Sequence, residues 1–193
     1  MIRVILGAAV AAVAMFIIGF IFFATPLAKL SMANVDDAQA AAVQQALAAN
    51  LPRTGTYSIP GMDTQAQTNM YSQGPIATVH YNTHGFAATD STSLIMGLVF
   101  NFIVALLIGA ALIGIDRRVP DLPSRARVAV IIAIAAAAFV HLGEPIYWHH
   151  DWGHFIYLFV ADALMLTAAG LILAWFLPGA RASAAPADAP REV

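Results

Sequence analysis

The chain has 193 residues, of which 60% are hydrophobic and only 10% are charged, and its mean hydropathy is +0.75. A typical globular domain is about one quarter charged, so this composition excludes an ordinary soluble domain. A net charge of −2 leaves no basic surface for nucleic acid, and the absence of cysteine excludes disulfides, iron–sulfur clusters, thiolate zinc sites and cysteine nucleophiles.

The first element is an uncharged apolar run, Val4 to Ala24. A bilayer core of about 30 Å needs roughly 20 apolar residues, so this run is long enough to span. It is longer than a secretory apolar core of about 7–15 residues and lacks a convincing cleavage signature, so residues 1–25 are read as an uncleaved signal anchor.

Residues 26–93 change in character to Gln, Asn, Thr, Gly and Ala. Asn34 is a suitable helix N-cap, with Asp36 and Asp37 in the first turn, and an Ala/Gln-rich helix should run to Asn50 before Pro52 stops it. Thr56-Tyr-Ser-Ile59 reads as a strand. Asn69-Met-Tyr-Ser72 and Ile76-Ala-Thr-Val-His-Tyr81 read as two more, joined by a Gln-Gly-Pro hairpin turn. The segment is therefore expected to be a small α+β insert of one helix and two or three strands.

A second span is expected at 94–115, interrupted only by Asn101, and an arginine-rich loop follows at 116–127. The third span, 128–148, is apolar for only thirteen residues and reaches full length by including His141 and Glu144. A short loop, 149–154, leads to a fourth span at 155–177, which carries Asp162. The tail from 178 to 193, rich in Ala and Pro, is expected to be disordered. The fold class is thus a mostly α membrane protein, a bundle of four transmembrane helices with a small α+β insert.

Orientation follows from the cations. Arg3, Arg117, Arg118, Arg125, Arg127, Arg181 and Arg191 fall on one side, and the loop between spans three and four has no Lys or Arg. Positive residues stay in the cytoplasm, so both termini should be cytoplasmic and the insert periplasmic, in a bacterial inner membrane. Tyr147, Trp148 and Trp152 then form an aromatic belt at the outer interface.

Counted from the outer ends, Asn101, His141 and Asp162 each lie roughly 10 Å deep at about 1.5 Å per residue, with Glu144 shallower. Gly97, Asn101, Ala105 and Gly109 repeat every fourth residue, as do Ala133, Ala137 and His141, which places Asn101 and His141 on small-residue packing seams. An unpaired carboxylate at such depth is costly, so Asp162 needs a partner, and His141 is the natural one. The cluster Asn101, His141, Glu144 and Asp162 reads as interhelical hydrogen-bond glue, as a working proton or metal site, or as part of a lipid or quinone pocket.

All six histidines fall on the predicted outer side. His141, Glu144, His149, His150 and His154 offer imidazole and carboxylate donors that zinc or copper accepts. Asp151 competes with that reading as the N-cap of the fourth span, while His80 and His84 read as exposed residues at the end of a strand. No phosphate-binding glycine loop, nucleophile elbow or zinc-protease helix is present.

Gly19-Phe20, Gly55-Thr-Tyr-Ser-Ile-Pro-Gly61 and Pro145-Ile-Tyr-Trp148 resemble the pattern of a family of small, functionally uncharacterised bacterial four-span inner-membrane proteins. That resemblance implies a periplasmic insert between spans one and two. It implies no activity, and the His149-His150 pair departs from the family pattern. Two functional readings stand. One is a non-enzymatic structural or accessory partner of a membrane complex, touching lipid, a membrane-protein partner or further copies of itself. The other is an outward-facing zinc, copper or proton site used in transport or sensing.

Overall fold

A computed structural model describes residues 2–116 and 118–177. Arg117 and the tail expected to be disordered, with Arg181 and Arg191, lie outside the described residues. The chain divides into two compact units: Asn34–Asp90, and the chain on either side of it.

The larger unit is helical. It comprises α1 (Ile2–Phe23), a 3₁₀ turn (Pro26–Ser31), α4 (Ser91–Ile115), α5 (Leu122–His141), the short α6 (Gly143–Trp148) and α7 (Trp152–Phe176). Four segments, Ile2–Phe23, Ser91–Ile115, Leu122–Trp148 and Trp152–Phe176, are long and apolar enough to cross a membrane. Each begins before the run expected from hydropathy, and for the last two a capping aspartate sets the start. Asp151 caps α7 by accepting from the Gly153 and His154 amides at 3.3 and 2.8 Å.

The core of this unit is made of small residues. Gly7, Ala8, Ala11 and Ala12 on α1, Ala105 and Gly109 on α4, Ala129, Ala133 and Ala137 on α5, and Ala161, Ala169, Gly170 and Ala174 on α7 are all buried. Met15, Leu112, Leu173 and Leu177 join them, but many large aliphatics and aromatics face outward, with Leu107 66% and Phe139 88% exposed. That inversion suits helices whose surroundings are as apolar as their side chains, where close backbone approach rather than water exclusion holds the helices together. At Gly170 an added Cβ would lie 2.8 Å from the Ala129 Cβ, so α5 and α7 meet at a distance that only glycine permits there.

The helices do not form the ring of a regular four-helix bundle. α7 is central and packs on α1, α4 and α5, and α1 also packs on α4, whereas α4 and α5 share no substantial contact among the described residues.

The third apolar segment differs from expectation at both ends. Its helix begins at Leu122, inside the expected 116–127 loop, because Asp121 caps it by accepting from the Ser124 amide at 2.9 Å and Pro123 occupies the first turn. At the other end α5 stops at His141 and α6 continues the segment. Pro145 has no N–H to give to the His141 carbonyl, and its ring crowds that group.

The smaller unit corrects the strand assignment. It contains α2 (Asp37–Asn50), β1 (Gly55–Ile59), α3 (Gln65–Gln73) and β2 (Ala77–Tyr81). β1 and β2 pair antiparallel, with Tyr57 opposite Val79. Asn69–Ser72, expected as a strand, lies in α3. Thr64 caps that helix by accepting from the Gln67 amide at 3.2 Å, and the Gln67 side chain accepts from the Asp63 amide at 3.0 Å. Gly74, at φ 69°, ends α3 instead of turning a hairpin. Likewise α2 is capped by Asp36 rather than Asn34. Asp36 and Gln39 form a reciprocal capping box, each side chain accepting from the other's amide.

Candidate functional site

The end of the helical unit that carries the 3₁₀ turn, α6 and the start of α7 holds four of the six histidines. His141, the last residue of α5, meets Asp162, the eleventh of α7, with Nε2 to Oδ2 at 2.7 Å. A carboxylate only accepts, so the imidazole donates from Nε2. The His141 side chain is 12% exposed and the Asp162 side chain 39%. The geometry follows from the α5 seam: Arg125, Ala129, Ala133 and Ala137 are buried at intervals of four, and the next position on that stripe is His141.

A second pair lies in the connection after α5, where Glu144 on α6 meets His150 at 3.2 Å. His150 also stacks on Phe155, with ring centroids 5.6 Å apart. His149 is exposed and takes a left-handed conformation (φ 54°) that turns the chain from α6 into α7. His154 points elsewhere: its Nδ1 donates to the Ser31 carbonyl at 2.8 Å and ties the 3₁₀ turn to α7. Beside it, the Tyr157 hydroxyl donates to the Phe22 carbonyl at 2.6 Å, filling one of the open acceptors at the end of α1.

The five residues read as metal donors therefore do not converge. His141 engages Asp162, Glu144 engages His150, His154 holds a backbone carbonyl and His149 faces outward. Among the described residues no group of three or more His, Asp or Glu side chains comes together. His80 and His84 are engaged with hydroxyls in the smaller unit, His80 with Thr56 at 3.1 Å and His84 with Thr83 at 2.9 Å.

Asn101 is also separate. It is 8% exposed on α4 and lines a groove against α1, while α4 and α5 are not packed on one another. A shared depth did not make a shared site.

Sequence reasoning missed one group. Arg125, expected in a loop, is wholly buried on the packed face of α5. Its Nε donates to the Val119 carbonyl at 2.8 Å and its guanidinium pairs with Asp116. The signal was the Asp121-Leu-Pro-Ser start motif, which makes Arg125 helical and places it on the alanine stripe. The same cap holds the Asp121 carboxyl below the usual carboxylate range, through the hydrogen bonds from Ser124.

In the smaller unit no residue is buried. Its α2, the end of β1 and α3 instead line an open groove of about 750 Å³, with Val43, Leu47, Ile59, Pro60 and Met70 among its walls. No charged residue lines it.

Comparison of the chain with protein-family models, with curated proteins and with solved structures finds no match.

Proposed function

We propose that the chain is a non-enzymatic integral protein of the bacterial inner membrane that serves as an accessory partner in a larger membrane complex. In this reading its four apolar helices span the bilayer, both termini are cytoplasmic, and the insert reaches into the periplasm. The arginine distribution supports that orientation.

The observation that carries the accessory role is the insert's lack of a core. Val43, Met62, Met70 and Ile76 are 48–56% exposed, and the groove between α2, β1 and α3 is mostly apolar and uncharged. Contiguous exposed apolar surface on a small folded unit marks an interaction site. The groove suits an uncharged, apolar segment of another envelope protein, with the amides of Asn50, Gln67 and Gln73 at its rim for backbone hydrogen bonds.

A photoreactive residue placed at Val43 or Met70 in growing cells tests this. The expected result is one discrete heterologous adduct, abolished by Met70→Asp when the probe is at Val43. Adducts identical to those from Gln44, which does not line the groove, would sink the proposal. Reporter fusions at residues 60 and 119 test the orientation in the same strains.

The His141–Asp162 hydrogen bond favours a second reading, a proton-responsive pair. Ionisable residues inside a membrane are functional candidates by default, and imidazole is the side chain that changes charge in the physiological range. Trp148 and Trp152 flank the loop beside the pair. The pH response of their emission in the reconstituted protein should differ between wild type and His141→Gln beyond the background from His149 and His150, which both share. Superimposable profiles remove this reading.

A further inference from the structure

The helices α1 and α4 are close at one end and apart at the other. At Gly109 an added Cβ would lie 2.9 Å from Val4 of α1, and Ala105, one turn on, is wholly buried. Two turns further, at Gly97, an added Cβ would meet nothing within 4 Å. One small-residue stripe thus packs tightly over its second half and leaves a cleft over its first.

That cleft has a volume of about 460 Å³ and carries Phe16, Gly19, Phe20 and Phe23 from α1 and Gly97 and Asn101 from α4. Its mouth is near the start of α4, and Asn101 lies inward at about 1.5 Å per residue, roughly 10 Å below Leu94. Asn101 is 92% buried, yet its side chain makes no hydrogen bond to any of the described residues. An amide carries two N–H donors and an acceptor, and leaving them unmade in an apolar setting is unfavourable.

We infer that this cleft binds the head group of a neutral quinone-type membrane lipid, whose ring carbonyl accepts a hydrogen bond from the Asn101 amide. The cleft is open along one side, and its lining is mostly apolar with few polar groups, Asn101 and Ser93, the composition of small-ligand sites. Three phenylalanines favour a flat ring, and the open side of the cleft leaves the isoprenoid tail in the surrounding bilayer. No cation lines the cleft, so a phosphate head has no counter-ion there. Asn101 is also recessed, so two copies of the chain cannot pair these amides face to face. The inference needs the helices to lie in a bilayer, and it is independent of the insert's partner.

The test uses the full chain in nanodiscs of one phospholipid, with folding checked by circular dichroism. A photoreactive azidoquinone with a short isoprenoid tail is titrated by mole fraction, and labelled peptides are mapped by mass spectrometry. Labelling of α1 and α4 should saturate and be competed by the unlabelled quinone, but not by the isoprenoid alcohol of the same tail. Loss of one hydrogen bond in Asn101→Leu should weaken labelling about tenfold while leaving the fold intact. Gly97→Leu, whose Cβ would meet nothing within 4 Å, should abolish labelling by filling the cleft. Labelling that does not saturate, or that is unchanged in both variants, overturns the inference. Equal competition by the alcohol or by added phospholipid assigns the cleft to ordinary lipid tails. A dimer that dissociates in Asn101→Leu assigns it to a second copy.

Discussion

Gly170→Ala should destabilise the protein even though alanine is the better helix former, and Ala129→Gly should rescue it. The new Cβ would sit 2.8 Å from the Ala129 Cβ, against about 3.5–4.0 Å for an ordinary carbon contact, so α5 must retreat by about 1 Å. Because α5 packs chiefly on α7, that retreat loosens the whole alanine stripe. A gap of 0.5–1 Å forfeits roughly a quarter to a half of each contact. Overpacking of this kind costs about 1–3 kcal/mol, while replacing a helical glycine recovers up to about 1 kcal/mol, leaving a net loss of about 1–2 kcal/mol. Ala129→Gly alone removes a buried methyl and adds a helical glycine, for a loss of about 1–2 kcal/mol. In the double variant the methyl has only changed sides, so stability should return to within about 0.5 kcal/mol of wild type, a coupling of roughly 2 kcal/mol. The assay is SDS-induced unfolding in mixed micelles, followed by circular dichroism, for the four proteins. Additive losses in the double variant would refute the close approach of α5 and α7 at this point.

Three further outcomes are expected. His141→Leu leaves the partly exposed Asp162 carboxylate without its donor and should destabilise the protein by more than the loss of one hydrogen bond. Asp162→Asn, which can still accept from His141, should cost about 0.6 kcal/mol, and the same SDS titration separates the two. Arg125→Ala orphans the Val119 carbonyl and leaves an Asp116 side chain that is 38% exposed, so it should cost about 1–3 kcal/mol. Arg125→Lys should fail to rescue it because lysine has no Nε fork to reach both Val119 and Asp116, as thermal aggregation in detergent will show. Asp121 has a depressed carboxyl pKa in the folded chain, so its contribution is present above the ordinary carboxylate pKa and lost as pH falls through the folded value. Hydrogen exchange at the Ser124 amide, corrected for intrinsic pH dependence, should therefore lose protection on acidification, and Asp121→Asn should flatten that profile.

The spans were legible because hydropathy is a property of consecutive residues. Their starts were less so, since Asp121 and Asp151 begin the last two by capping chemistry rather than by apolarity. Arg125 shows the cost of reading charge before periodicity: its four-residue spacing from Ala129 and Ala133 outweighs its charge in deciding where it lies. In the insert, Asn69-Met-Tyr-Ser has the composition of a strand. The Thr64 cap and the Gly74 stop nevertheless fix α3, and β1 rather than this segment pairs with β2. Such pairing is set by contacts distant in sequence, to which local propensity is blind.

Depth and facing, both countable along a helix, gave the His141–Asp162 hydrogen bond but could not give the neighbour of Asn101. A four-residue stripe says that a side chain faces some other helix, not which one. Here α7 sits centrally, so the α5 stripe meets α7 while the α4 stripe meets α1. Two polar residues at one depth thus end in opposite circumstances. His141 has a carboxylate at 2.7 Å, and Asn101 has no partner among the described residues. The physical consequence is a difference in sign. Removing the imidazole strands a charge and must destabilise, whereas Asn101→Leu removes an unmet amide and should leave stability unchanged or raised.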